Sequence, residues 1–197
     1  MDMNLLKLKP LFVFALPMEA ANEFIDFDTL FVGVGKVQSI YYLMKKIIDC
    51  KPSIIINVGS AGSNEFKPGE VVCCTQFIQR DMNVTPLGFP KYKTPFSNIE
   101  PVLNYGIETP YFPIGICGSG DSFEVCGCPD YKVVDMEAYS LAWLSMQEQI
   151  PFLCLKYITD GIDDKAAKDW NITVHLAAAA LRRSIDVIFN RTWPITI

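Results

Sequence analysis

The chain has 197 residues, of which half are hydrophobic and a fifth are charged, and its net charge is −5. A chain of this length folds around a substantial core, so we expect one domain over residues 1–197. The sequence has no basic stripe to neutralise phosphates, which excludes a nucleic-acid partner. No run reaches the ~18 to 20 apolar residues that a membrane-spanning helix needs.

Predicted strands and helices alternate along the chain. Apolar residues at helical spacing predict a helix after residue 36, and Pro52 ends it before a continuous apolar strand. The segment 80–110 is rich in Pro, Gly, Asn and Tyr and is predicted to be mostly loop. In chain order we expect strands at 11–15, 30–34, 53–58, 69–77, 111–117, 132–134 and 152–158, and helices at 37–49, 136–148 and 170–189. This interleaving predicts an α/β domain with a largely parallel or mixed sheet.

Cysteine usage indicates neither a disulfide scaffold nor a metal centre. Four of the seven cysteines lie in apolar strand-like runs and are expected to be buried free thiols in a reducing compartment: Cys73, Cys74, Cys117 and Cys154. The pair Cys126 and Cys128 is one residue short of the usual zinc hook, and the single histidine, His175, is expected to pack within a helix. We therefore predict neither a metal nor a cofactor. Residues 1–4 lack the cationic lead of a signal peptide, so the cytoplasm is the expected location.

Polar and aromatic side chains stand where the predicted strands end. Such ends converge on the crevice in which open α/β sheets bind ligands. Taken alone, the glutamate after the first strand is also consistent with a residue that complements a helix dipole. The glycine-rich segment around Ser60, after the strand 53–58, is also consistent with a tight turn. Two carboxyl groups are expected at this crevice, one at the start of a helix and one at the end of the last strand. One of them could bind hydroxyl groups, and the other could donate a proton. In chain order these candidates are Glu19, Ser60, Phe123, Glu137 and Asp160.

Five segments in this order resemble the nucleoside phosphorylase/nucleosidase superfamily, most closely the methylthioadenosine/S-adenosylhomocysteine nucleosidases. They are VGKV at 34–37, CKPSIIINVGSAG at 50–62, GDSF at 120–123, DMEA at 135–138 and TD at 159–160. The resemblance implies a single-domain, three-layer α/β/α fold with a central mixed sheet. The chain is shorter than the family between Glu19 and Leu30, which implies that the N-terminal part of the sheet is shortened.

The resemblance also implies hydrolysis of an N-glycosidic bond, a reaction that passes through a ribosyl cation. Glu19 would orient and deprotonate the attacking water, a role that an ionised glutamate can fill at neutral pH. Ser60 would help to place that water. Asp160 would donate the proton to the departing adenine. The implied products are adenine and a 5-substituted ribose.

The implied binding residues surround the sugar, the base and the 5′ substituent. Glu137 would accept hydrogen bonds from the 2′- and 3′-hydroxyls, Met136 would contact the sugar, and Phe123 would stack on the purine. An apolar pocket, completed by the partner in a homodimer, would take the 5′-alkylthio group. The residues expected there are Leu87, Phe89 and Trp170.

Water is the expected acceptor, because a phosphorylase needs cations at the ribose to hold phosphate. The hexameric phosphorylases place an arginine where this chain has Asn57. Two residues depart from the family: Lys156 stands where the family often has arginine, and Glu124 stands where an aliphatic residue is usual beside the base, which leaves the base preference open. Three alternative functions remain: a nucleosidase for another purine nucleoside such as futalosine, a purine nucleoside phosphorylase, and a nucleoside-binding protein that lost turnover.

Overall fold

The computed structural model describes residues 9–124, 127–162 and 166–190, without the side chains of residues 166–172. Within these ranges the chain forms eight strands and four helices. The strands are β1 (Pro10–Phe14), β2 (Thr29–Phe31), β3 (Ile54–Ser63), β4 (Val71–Gln79), β5 (Val102–Asn104), β6 (Ile114–Ser119), β7 (Val133–Asp135) and β8 (Phe152–Asp160). The helices are α1 (Pro17–Ala20), α2 (Lys36–Asp49), α3 (Ala138–Gln147) and α4 (Ala166–Asn190).

The strands form one mixed sheet that closes partly on itself. Each of β3, β7, β6, β4 and β8 pairs with the next, and β8 returns to β3, so these five strands form a ring. Strands β1 and β2 extend the sheet in parallel from β3, and β5 adds an antiparallel edge to β4. The predicted mixed sheet is confirmed. Its closure could not be read from alternating hydrophobicity, which does not specify which strands pair.

Two helical layers cover the sheet. Alternate side chains of β1 point to opposite sides, with Leu11 in the core under α2 and α3 and Phe12 in the core under α4. Strand β3 is buried on both faces from Ile54 to Gly59, which explains its largely apolar sequence there. The predicted α/β/α layering is therefore confirmed.

The sheet is short at its N-terminal side, as predicted. Helix α1 is a single turn, and turns connect it to the three-residue strand β2. The guanidinium of Arg182 on α4 binds both carboxylate oxygens of Asp26, at 2.6 and 3.0 Å, and stacks on Phe27. These contacts tie the short connection to the last helix.

The structure corrects several element boundaries. The strand predicted at 53–58 is longer than expected. It continues through Gly59 and Ser60 to Ser63, so the tight turn considered after Val58 is absent. It continues because β8 pairs with it on one side and β7 on the other, so backbone pairing outweighs the weak strand preference of glycine. The predicted loop 80–110 contains β5, and α4 begins before residue 170.

The thiols expected in the core, Cys73, Cys74, Cys117 and Cys154, are buried and free, which confirms that prediction. His175 is exposed on α4, so its predicted role in packing was wrong. No helix among the described residues has the length and apolarity that crossing a membrane requires.

Candidate active site

A cavity of about 280 Å³ opens where the strands of the ring and β1 end. Its volume is close to the lower limit for small-molecule sites. Six of the nine residues expected at the site line it: Glu19, Ser60, Phe123, Met136, Glu137 and Asp160. The predicted convergence of distant sequence segments is thus present in the geometry.

Glu19 is buried and fixed by three donors. Its Oε1 accepts hydrogen bonds from the Ser60 amide at 2.8 Å and the Ser60 hydroxyl at 2.6 Å, and its Oε2 accepts one from the Leu16 amide at 3.0 Å. The two residues meet because β1 and β3 are parallel neighbours, so their C-terminal ends lie side by side. The carboxylate therefore faces the cavity in one orientation.

Two glycines of β3 let carboxylates approach the strand. A Cβ on Gly59 would lie 3.1 Å from Glu19 Oε1, and one on Gly62 would lie 2.8 Å from Asp160 Oδ2. The second distance is shorter than real Cβ contacts, so Asp160 could not keep this position beside alanine. These two glycines therefore let the carboxyl groups of Glu19 and Asp160 lie close to the backbone of β3.

Asp160 ends β8 at a β-bulge. Ile158 pairs with Ala61, and Asp160 pairs with Gly62, so Thr159 is an extra residue between them. The hydroxyl of Thr159 lies 2.6 Å from Asp160 Oδ1. Bulges re-aim side chains next to active sites, and this one places the buried Asp160 carboxyl on the cavity wall.

Glu137 lies at the N-cap of α3, and its Oε1 accepts a hydrogen bond from the Gly35 amide at 2.8 Å. Burial, followed by the nearby charge of Asp135, raises the pKa of Glu137 to about 8. The charge of Lys156 and the Gly35 hydrogen bond oppose this shift without cancelling it. The free site therefore favours the neutral form of Glu137 near neutral pH.

This pKa makes stability depend on pH. The pKa of an unfolded glutamate is about 4.3, so between that pH and about 8 the folded chain holds a proton that the unfolded chain has lost. Glu137 therefore weakens the fold progressively as pH rises through this window. We expect Glu137→Gln to gain stability relative to the parent chain over the same window, because glutamine does not titrate.

Urea denaturation at intervals from about pH 5 to pH 9 measures this difference. Glu23→Gln, at an exposed position, is the matched control and should run parallel to the parent chain. A constant difference between Glu137→Gln and the parent chain across this range would refute the assigned pKa.

Behind Glu137 lies a fully buried ion pair. Lys156 Nζ is 2.7 Å from Asp135 Oδ2, with side chains 3% and 2% exposed. Burial alone would lower the pKa of Lys156, but the facing carboxylate of Asp135 holds it well above its ordinary value. Burial would likewise raise the pKa of Asp135, yet Lys156 and the hydroxyl of Ser119 hold it low. Both side chains are therefore charged.

Breaking this pair is expected to be costly. Lys156→Met leaves Asp135 as an uncompensated buried charge, which should lower the free energy of unfolding by about 3–5 kcal/mol. The double variant Asp135→Asn with Lys156→Met should recover much of that loss, because no charge is left buried. Thermal and urea unfolding measure both. A double variant no more stable than Lys156→Met would contradict this account.

The remaining predicted residues lie in different surroundings. Phe123 and Met136 line the cavity. Leu87 is 73% exposed, and Phe89 packs edge-on against Phe96, so neither contributes to the cavity wall within one chain. Trp170 falls outside the residues whose side chains are described.

The sequence did not single out Arg80, which lines the cavity. Its guanidinium lies 3.2 Å from Glu124 Oε2, and Tyr131 donates a hydrogen bond of 3.1 Å to the same oxygen. A lone arginine inside a predicted loop gives no signal. A usable hint was the position of Glu124 beside Phe123, because a partly buried carboxylate favours a cationic partner.

Residues 30–188 match the sequence model of the Phosphorylase superfamily. The chain belongs to this superfamily. The 5′-methylthioadenosine/S-adenosylhomocysteine nucleosidase of Listeria monocytogenes is 30% identical over 171 residues, covering 74% of this chain and 73% of the relative. A nucleosidase of the same name from Buchnera aphidicola is 32% identical over 167 residues, covering 74% of this chain and 66% of the relative. The predicted kinship with N-glycosyl hydrolases of the phosphorylase superfamily is thus confirmed.

Solved structures of the superfamily share this fold. A Helicobacter pylori 5′-methylthioadenosine/S-adenosyl homocysteine nucleosidase superposes with a TM-score of 0.82 at 17% identity, covering 93% of this chain and 98% of that one. The futalosine hydrolase of the same organism superposes with a TM-score of 0.83 at 16% identity, covering 94% and 98%. At these identities the likeness shows the fold alone, and it confirms the predicted architecture.

Proposed function

We propose that this chain hydrolyses the N-glycosidic bond of purine nucleosides, with 5′-methylthioadenosine and S-adenosylhomocysteine as its substrates. The observation that carries the proposal is the convergence of Glu19, Glu137 and Asp160 on one cavity. Three carboxyl groups suit a reaction whose transition state carries positive charge on the ribose and needs both a base and an acid.

Glu19 and Ser60 are the proposed water-binding pair. The Ser60 hydroxyl donates to Glu19 Oε1, and both residues line the cavity, so a water molecule there can contact both side chains. A water held between them is positioned by two groups, and the carboxylate accepts its proton as the oxygen attacks C1′.

Asp160 is the proposed proton donor to N7 of the leaving purine, because it is a buried carboxyl at the end of a strand on the opposite side of β3 from β1. Glu137 binds the ribose hydroxyls, with Met136 against the sugar and Phe123 against the base. All four residues line the cavity, which supports this division of roles.

Electrostatics favour water over phosphate as the acceptor. Arg80 is the one cationic side chain among the described residues that line the cavity, and Glu124 and loop oxygens engage it. Asn57, where the hexameric phosphorylases have arginine, donates its amide to the Val13 carbonyl and is buried. A phosphate dianion would thus meet the carboxyl group of Glu19 with no cation on the described cavity wall available to compensate its charge.

The 5′ substituent is proposed to bind in an apolar pocket completed by the partner of a homodimer. Leu87 and Phe96 are 73% and 95% exposed, and Phe89 packs against Phe96, so this apolar surface is available to a second copy. Trp170 is proposed to close the pocket from α4. Light scattering after gel filtration tests this assembly, and a monomer at micromolar concentration would argue against it.

The proposed setting is the cytoplasm, where free buried thiols stay reduced, and the proposed role is nucleoside catabolism feeding methionine salvage.

A panel of methylthioadenosine, S-adenosylhomocysteine, adenosine, inosine and futalosine, each with and without phosphate, tests the function. Adenine released from the first two without phosphate is the expected result. Strict phosphate dependence would make the chain a phosphorylase, and a preference for futalosine would follow if Glu124, a charged residue on the cavity wall, sets the base preference. Tight adenosine binding without turnover over hours would identify a binding protein.

A further inference from the structure

The side chain of Arg80 is buried at the point where β4 ends and the cavity begins. Its amide donates to the Ser119 carbonyl at 2.9 Å, which extends the pairing of β4 with β6 by one residue. Its side chain is only 5% exposed, and it lines the cavity wall. The proposed reaction assigns no chemical task to this guanidinium.

The guanidinium binds one segment, residues 120–124, which we name the 120–124 loop. Nη1 donates to Ser122 Oγ at 3.1 Å and to Glu124 Oε2 at 3.2 Å. Nη2 donates to the Gly120 carbonyl at 3.3 Å and also to the Ser122 carbonyl. One rigid fork thus holds three residues of the loop, which include both neighbours of Phe123.

The loop backbone is shaped to admit this side chain. A Cβ on Gly120 would lie 2.9 to 3.1 Å from atoms of Arg80, so a larger residue there would force the two apart. Asp81 adds a further tie, because its carboxylate accepts a hydrogen bond from the Asp121 amide at 2.9 Å. Arg80 and Asp81, at the end of β4, therefore hold the 120–124 loop by several hydrogen bonds.

Little of the guanidinium remains for a ligand. Its four Nη donors are used by the loop, and Nε is buried from any ligand and has no hydrogen-bond partner within the part of the chain that the structure describes. A phosphate or a base edge would have to displace bonds that the loop already makes.

We propose that Arg80 is a positioning residue that fixes the 120–124 loop so that Phe123 is held ready to stack on the purine. This inference rests on the proposed function, because it takes Phe123 as the residue that contacts the base. Phe123 is 52% exposed at the cavity wall, so its ring depends on the backbone beneath it for its position. Preorganising that backbone lowers the ordering cost of binding.

The test is a double-mutant cycle with Arg80→Met, Phe123→Ala and both together. The measurements are KM and kcat for methylthioadenosine and the Kd of adenine by calorimetry. We expect each single variant to raise KM and Kd about tenfold, within the range of one lost stacking contact. The double variant should be no weaker than Phe123→Ala alone, because both changes remove the same stacking.

Two further variants separate geometry from charge and from general destabilisation. Arg80→Lys keeps the charge but not the fork, so it should bind adenine as weakly as Arg80→Met. Arg183→Met, at an exposed position of α4, is the matched control and should leave KM and Kd unchanged.

Additive losses in the double variant would mean that Arg80 contacts the ligand, and they would overturn the proposal. Recovery of binding by Arg80→Lys would do the same, and so would an unchanged KM with a lowered melting temperature. Failure of the parent chain to cleave any nucleoside would refute the proposed function instead. The adenine titrations still test the role of Arg80 in that case, and a parent chain that binds no adenine would refute both.

Discussion

Glu19→Gln is expected to reduce kcat for methylthioadenosine by about 10²–10⁴-fold, the usual worth of a positioned general base. Glutamine can still accept the Ser60 hydrogen bonds through its carbonyl oxygen, but its amide faces the Leu16 amide and cannot take a proton from water. KM should change little, because the base and the sugar hydroxyls are bound elsewhere. Steady-state kinetics measure the loss.

The control for this prediction is Glu23→Gln, which lies four residues further along on the surface. Its kcat should equal that of the parent chain. If Glu19→Gln kept more than about a tenth of the parent activity, the glutamate would not be the base, since general-base action is worth at least about 10²-fold.

Asp160→Asn should cause a loss of similar size, about 10²–10⁴-fold, but only for substrates whose leaving group needs a proton. Asparagine can keep the hydrogen bond from the Thr159 hydroxyl through its carbonyl oxygen, so the bulge and the cavity wall should persist. A purine leaves poorly as an anion, whereas p-nitrophenolate leaves without help. Replacing the purine by p-nitrophenolate should therefore restore the rate of Asp160→Asn but not that of Glu19→Gln.

A p-nitrophenyl riboside that carries the 5′-methylthio group separates them. Asp160→Asn should cleave this compound at nearly the parent rate, while Glu19→Gln should remain slow because water must still attack. Equal losses on both substrates for Asp160→Asn would assign that residue to the sugar or to the water instead of the base.

Local sequence patterns predicted the alternating elements because each segment carries its own periodicity. The run at 54–58 is apolar except for Asn57 and lies in the part of β3 that is buried on both faces. The membership in the superfamily and the fold follow from short segments whose order is specific, and both are confirmed. The same segments contain Ser60, Glu137 and Asp160, which meet Glu19 in the cavity.

Features that depend on distant pairing could not be predicted in this way. The continuation of β3 to Ser63 requires β7 and β8 on its two sides. The charge of Lys156 is compensated by Asp135 on another strand of the ring. The role of Arg80 depends on its contacts with the 120–124 loop. None of these contacts leaves a local pattern, because each joins segments far apart in the chain.

The bulge at Thr159 has a consequence for how such sites are encoded. In a regular strand, Asp160 would point to the same side as Ile158, which lies in the core beneath α2 and α3. The extra residue shifts the end of β8 by one position against β3, and a one-residue shift exchanges the two faces of a strand. The direction of the proposed acid is thus set by the number of residues in β8, so comparisons with relatives must place any gap on the correct side of Thr159.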